Sequence, residues 1–176
     1  MSLENLLHRI QVTPDCRIDV PVGQPGIGEH HRLPDDLRNF YQLCGGLSLA
    51  ENTAYSVTIV PPTKCLLANP VILGEKVAER VRRTQRENIS WSWYSIADYG
   101  NGNYITIDLD QRRLGRCYDS SHETHGLRGD TPIIARSFTE LVLSLFENRG
   151  QYWYWLQPDF ASLGDAYDEY SKGGRT

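Results

Sequence analysis

The segment YDSSHETHG, residues 118–126, holds the side chains of this sequence that are best suited to chemistry. The zinc-protease signature H-E-x-x-H places two histidines at i and i+4 on one helical face, with the glutamate as general base. Here His122 and His125 stand at i and i+3, on either side of Glu123 and Thr124. Zinc needs three or four convergent ligands, and nothing in this spacing forces them together. A metal-dependent hydrolase is therefore the least favoured of three function classes.

Other catalytic arrangements are equally poorly supported. An enzyme needs a nucleophile, or an acid and a base in contact. The polar candidates of the central region are Asp98, Asp108, Asp119, His122 and Glu123. We expect most of them to be structural, with carboxylates accepting turn N–H groups, and some to contact a partner. The sequence thus predicts no enzyme, no cofactor and no metal site.

Composition sets the class of protein. The 176 residues carry a net charge of −4, with 40% hydrophobic and 23% charged residues, which is typical of one soluble domain spanning 1–176. The acidic balance disfavours direct nucleic-acid binding. No apolar run is long enough for a membrane helix, and the N-terminus does not resemble a signal peptide. Four scattered cysteines favour reduced thiols, so we expect a cytoplasmic protein.

The elements that must position these side chains follow from periodicity. Helical patterns occupy the N-terminal residues 3–10, the segment LPDDLRNFYQLCGG and the segment that begins at Ser137. Ser137 and Glu140 form a capping box, in which Ser137 accepts from the Glu140 N–H and Glu140 reaches back. A further pattern of Phe160, Leu163, Tyr167 and Tyr170 predicts a C-terminal helical extension over 150–176.

The middle of the chain is rich in β patterns. WSWYSIADYG and NYITIDL alternate, and the Gly100–Asn103 segment between them is a hairpin turn. LGRCYD predicts a third strand, which places YDSSHETHG at a strand end. The charge-rich segment 75–87 is interpreted as a solvated helix, with a basic interaction patch as the alternative. The whole predicts an α+β fold with a central antiparallel sheet flanked by N-terminal and C-terminal helices.

Four segments in this order resemble the SUKH superfamily, which groups bacterial immunity proteins with fungal cell-wall assembly regulators. LPDDLRNFYQLCGGLSL resembles its L-P-x-x-aromatic helix, and WYSIADYGNGNYITIDL resembles its core hairpin. LGRCYDSSHE is similar to the aromatic-D-H-E strand end, and IIARSFTELVLSLF to the closing helix. The resemblance covers about residues 33–146.

The resemblance implies a non-enzymatic binding module, in first place an immunity protein that neutralises a polymorphic toxin, such as a nuclease, by direct contact. The alternative is an interaction scaffold or small-ligand-binding regulator of cell-wall or stress signalling. Tyrosine, tryptophan and acidic side chains together are typical of binding hot spots. We therefore expect a protein partner, in first place a toxin domain, and a possible homodimer. The expected partner-binding residues are Trp93, Asp98, Tyr99, Asn101, Asn103, Tyr104, Asp119, His122 and Glu123.

Overall fold

A seven-stranded antiparallel sheet forms the centre of the molecule. The computed structural model describes residues 2–168, and the strands pair in chain order from β1 to β7. Every pairing is therefore between consecutive strands, although helix α2 lies between β1 and β2 and helices α3 and α4 lie between β3 and β4. The strands are β1 Arg17–Asp19, β2 Gly46–Leu49, β3 Val57–Ile59, β4 Trp93–Gly100, β5 Asn103–Asp108, β6 Cys117–Ser120 and β7 Ile133–Ala135.

Five α-helices accompany the sheet in this part of the chain, and short 3-10 turns connect several elements. They confirm the predicted α+β class with helices before and after the central sheet. No helix within residues 2–168 has the length and the apolar character that crossing a membrane requires. The helices are α1 Leu3–Gln11, α2 Asp35–Leu43, α3 Ala68–Leu73, α4 Glu75–Thr84 and α5 Phe138–Glu147.

The main core lies between one sheet face and helices α1, α2 and α5. The predicted apolar stripes of α1, α2 and α5 turn inward, and Cys44 is a buried core residue. Phe40 of α2 meets Phe138 of α5 edge to face, with ring centroids 4.8 Å apart. Such aromatic contacts add stability beyond the area they bury. This packing holds helices α2 and α5 against the same face of the sheet.

The opposite sheet face is covered over only part of its width. Near β4 and β6, Trp93 and Tyr118 pack in a second, smaller core with Ala68 of α3, Ile89 and Tyr167. Towards β1 the same face carries a row of directly paired polar residues, one from each of five strands. We call it the polar row, and it consists of Arg17, Ser48, Thr58, Asp98 and Tyr104.

The ends of helix α5 agree only in part with the sequence prediction. Ser137 Oγ accepts from the Glu140 N–H at 3.1 Å, as the capping box predicts. Glu140 accepts instead from the backbone N–H of Arg136, at 2.7 Å, one residue before the expected donor. Beyond the helix, Tyr154–Leu156 form one 3-10 turn and residues 157–167 form no helix, in contrast to the predicted extension. Tyr170 of that pattern lies outside the described residues.

Candidate functional site

The β4–β5 turn is a tight hairpin of fixed geometry. Asn101 and Gly102 have φ values of 56° and 76°, and Gly100 pairs with Asn103 across the turn. Two successive positive φ values define a type I′ turn, for which Asn-Gly is the preferred pair. Asp98 Oδ1 accepts from the Gly100 N–H at 2.8 Å and closes the turn from the strand side. The exposed end of the hairpin is therefore rigid.

Tyr99 links this hairpin to the neighbouring strand. It is the extra residue of a β-bulge, which turns its side chain towards the main core. Its hydroxyl donates to Asp119 Oδ1 at 2.5 Å, and Trp155 Nε1 donates to Asp119 Oδ2 at 3.0 Å. Burial raises the pKa of Asp119, although both hydrogen bonds act in the opposite direction. Asp119 thus supports the hairpin from below and has both oxygens engaged.

An aromatic cluster borders the hairpin on one side. Trp153 lies 4.8 Å from Tyr99 and 5.3 Å from Tyr55, measured between ring centroids. Trp153 also stacks on Trp155, with their planes 15° apart. Tyr152 is exposed over 47% of its surface. Trp155, by contrast, is buried, so the run of four aromatics at residues 152–155 is only partly exposed.

The two histidines of YDSSHETHG have different environments. His122 lies at the surface, where its backbone N–H and Nδ1 both approach Asn103 Oδ1 at 3.2 Å. The neighbouring Glu123 side chain is 79% exposed. His125 is buried, with Nε2 3.0 Å from Asn69 Oδ1, and burial lowers its pKa to about 4. No group of three metal-ligating side chains occurs among residues 2–168.

Seven of the nine expected binding residues come together around the hairpin. We call this set the hairpin surface, and it consists of Asp98, Tyr99, Asn101, Asn103, Tyr104, His122 and Glu123, with the Tyr99 side chain turned to the sheet face opposite Asp98 and Tyr104. The other two lie elsewhere. Asp119 is beneath the surface, as described above, and Trp93 has none of its surface exposed. Trp93 was expected on the exposed sheet face, but its place in the strand register directs it under α3 into the second core.

Asp108 is the polar centre of that second core, a role that sequence reasoning did not assign. Its carboxylate accepts from Ser92, Trp93, Arg113 and Tyr118 at 2.7–3.0 Å. Asp108 and Arg113 are both almost fully buried. Burial lowers the pKa of Arg113, but the Asp108 carboxylate more than compensates and leaves it raised. The arrangement satisfies the hydrogen-bonding groups of a buried ion pair.

Residues missed by the sequence analysis extend the hairpin surface across the sheet. Arg17, Ser48 and Thr58 continue the polar row from Asp98 towards β1, and Arg17 also pairs with Glu51. Tyr55 and Tyr152 border the surface through the aromatic cluster. Strand periodicity indicates which face each residue takes, but the register that aligns five strands is a property of the folded sheet.

The fold agrees with the class of protein to which comparison with known proteins assigns the chain. The chain belongs to the SMI1/KNR4 family (SUKH-1), whose model matches residues 30–144. It is 47% identical to Immunity protein YokJ of Bacillus subtilis (strain 168) over 168 residues, which cover 96% of this chain and 97% of that protein. No solved structure gives a significant match. The resemblance to the SUKH superfamily and the prediction of an immunity protein are confirmed.

Proposed function

We propose that this immunity protein neutralises a toxin in the cytoplasm by binding it directly through the hairpin surface, without catalysis of its own. The observation that carries the proposal is the way the hairpin is held. Tyr99 is tied to Asp119 and Asn103 to His122, so two connected loops present their polar groups in one fixed arrangement. A preorganised surface loses little conformational entropy on binding.

The chemistry of the surface suits a protein partner with basic character. Asp98 and Glu123 are exposed carboxylates, and Asp98 pairs with the half-buried Tyr104 across strands β4 and β5. Tyrosine with acidic neighbours is a common combination at binding hot spots, and opposite charge on a partner raises the rate of association. The aromatic cluster beside the hairpin offers apolar area that such a contact would bury.

Coexpression tests this proposal. The gene is expressed with the adjacent reading frame as the candidate toxin, and growth rescue and pull-down are scored. The double variant Asp98→Lys/Glu123→Lys is expected to lose both, because it reverses two charges of the contact. The matched control, Glu29→Lys/Glu75→Lys, changes net charge equally at exposed positions elsewhere and is expected to rescue growth. Equal rescue by both variants, each with wild-type thermal stability, contradicts the proposed surface.

A small-ligand-binding regulator is the second candidate, and one observation favours it. A cleft of about 770 Å³ lies between the C-terminal ends of α1 and α5, lined by Arg9, Val12, Phe146 and Arg149 among others. Its volume is within the usual range of ligand pockets. Filling it by Val12→Trp leaves toxin neutralisation intact if the hairpin surface acts, and abolishes function if a ligand in this cleft controls the protein.

A further inference from the structure

The side of the molecule formed by α4 and the loops next to it carries a concentration of arginines. Two adjoining clefts of about 550 and about 530 Å³ lie there, and they share Arg86, Glu87, Asn88 and Arg128. Because they share these residues, they form one continuous depression. We call it the arginine groove, and its basic side chains are Arg83, Arg86, Arg112, Arg113 and Arg128.

The charge of this groove is opposite to that of the whole chain. The chain has a net charge of −4, yet among the described residues five arginines and two acidic residues, Glu87 and Asp110, line the groove. Arg113 is buried and paired with Asp108, so four of these arginines are exposed to the groove. Asp110 lies against Arg112 and Arg113 and offsets part of their charge. Arg83, Arg86 and Arg128 are exposed as well, and Arg83 is paired with Glu79 one turn earlier in α4. The groove therefore carries a local positive charge that attracts an anionic group.

Two aromatic rings at the groove are covered by guanidinium groups. Arg82 lies over the Trp91 ring at 5.6 Å, and Arg128 lies over the Tyr167 ring at 4.9 Å. These cation–π contacts hold the arginines in place. They also occupy ring faces on which the bases of a single-stranded nucleic acid would stack. Glu87 and Asp110 along the groove further disfavour a continuous chain of phosphates. A protein segment with spaced carboxylates suits this pattern better.

We propose that the arginine groove binds an acidic segment of the toxin partner, as a second contact distinct from the hairpin surface; this inference rests on the proposed function. Guanidinium groups form two parallel hydrogen bonds with a carboxylate, which gives strength and orientation together. The hairpin surface offers carboxylates and the groove offers guanidinium groups. The two contacts require opposite charges on the partner and thereby fix its orientation.

Binding of a fluorescein-labelled oligo-glutamate peptide, followed by fluorescence anisotropy at low salt, tests the groove. The variant Arg83→Glu/Arg86→Glu removes two groove cations, one at the end of α4 and one just after it. Lys76→Glu/Arg80→Glu, on α4 and outside the groove, is its charge-matched control. Wild type and control are expected to bind with similar affinity, and the groove variant about fivefold or more weakly. Equal weakening in both variants shows that only net charge matters and overturns the proposal.

Two further measurements separate this inference from the proposed function. First, binding of a poly-thymidine oligonucleotide to the same proteins is measured. If the oligonucleotide binds more tightly than oligo-glutamate, and this binding depends on Arg83 and Arg86, the choice of an acidic protein segment is overturned. In the coexpression assay, the groove variant is expected to weaken the pull-down with the toxin more than its control. If only the hairpin variant weakens the pull-down, the groove inference fails and the proposed function stands. If only the groove variant weakens it, the groove contact stands and the hairpin surface is not the binding site.

Discussion

The hydroxyl of Tyr99 lies 2.5 Å from Oδ1 of Asp119, and this contact joins the hairpin end to strand β6 below it. Trp155, from the segment after α5, donates to the other oxygen of the same carboxylate. One side chain therefore fixes three parts of the chain that are distant in sequence. Because the carboxylate is largely buried, its ionisation is linked to the stability of the whole arrangement.

The first prediction concerns the pH dependence caused by Asp119. Burial raises its pKa in the folded protein above the unfolded value. Its contribution to stability is thus fully present below the unfolded pKa and is lost as the pH rises through the folded pKa. Asp119→Asn has no charge to desolvate, so we expect its stability relative to wild type to increase from about pH 4 to about pH 7.5. Urea unfolding at both pH values measures this.

Tyr99→Phe is the companion variant to Asp119→Asn. It removes the hydroxyl that donates to Oδ1 of Asp119. We expect the free energy of unfolding to fall by about 1–3 kcal/mol near neutral pH, because a buried carboxylate oxygen loses its hydrogen bond. The cost should shrink at acidic pH, where Asp119 is neutral. A pH-independent difference between wild type and Asp119→Asn would show that the carboxylate is ionised equally easily in both states.

The second prediction concerns His125. Burial lowers its pKa from the ordinary 6.5 to about 4, so the unfolded state binds the proton more tightly. Stability that is fully present above the unfolded pKa is therefore lost as the pH falls towards the folded pKa. Between about pH 7.5 and about pH 5, wild type is expected to lose about 2 kcal/mol more than His125→Gln, which retains a donor for Asn69. Equal losses of stability in the two proteins over this pH range would contradict the burial of His125.

The third prediction concerns the buried pair of Asp108 and Arg113. Arg113→Met leaves the carboxylate buried without its cation, and we expect a loss of about 3–5 kcal/mol in the free energy of unfolding. The double variant Asp108→Asn/Arg113→Met removes both charges and should recover about half of that loss or more. Chemical denaturation of the two variants and wild type provides the comparison. If the double variant is as unstable as Arg113→Met, the loss comes from packing and not from the unpaired charge of Asp108.

Local signals in the sequence predicted much of the fold. Helices α1, α2 and α5 follow from apolar spacing, and the hairpin follows from Asn101-Gly102, because these features depend on neighbouring residues only. The surface loop at His122 was also placed correctly, at a strand end. Seven of the nine candidate binding residues lie together for the same reason, since the hairpin and the following strand end are adjacent in any antiparallel meander.

What local signals could not predict depends on packing across the sheet. Trp93 alternates with its neighbours as a half-exposed strand residue would, but α3 covers its face of the sheet and buries it. The apolar pattern around Leu163 and Tyr167 suggested a helix. Instead, these residues pack on the second core as an irregular segment, where the Thr131 N–H donates to Asp165 and the Tyr167 hydroxyl donates to the Gly126 carbonyl. Tertiary contacts overrode helical spacing there.

The last prediction separates the geometry of the hairpin from its contacts. Asn101 has a φ of 56°, which glycine adopts freely and β-branched residues strongly avoid. Asn101→Val is expected to cost about 1–3 kcal/mol of stability and to lower toxin binding, because the type I′ turn must distort. Asn101→Gly keeps the turn and deletes only the amide, so its stability should stay close to wild type.

If the amide itself contacts the toxin, Asn101→Gly also binds more weakly in the pull-down. If Asn101 matters only for the turn, Asn101→Gly binds as wild type does and Asn101→Val alone is impaired. Wild-type binding by both variants would contradict a role for the hairpin end in toxin recognition.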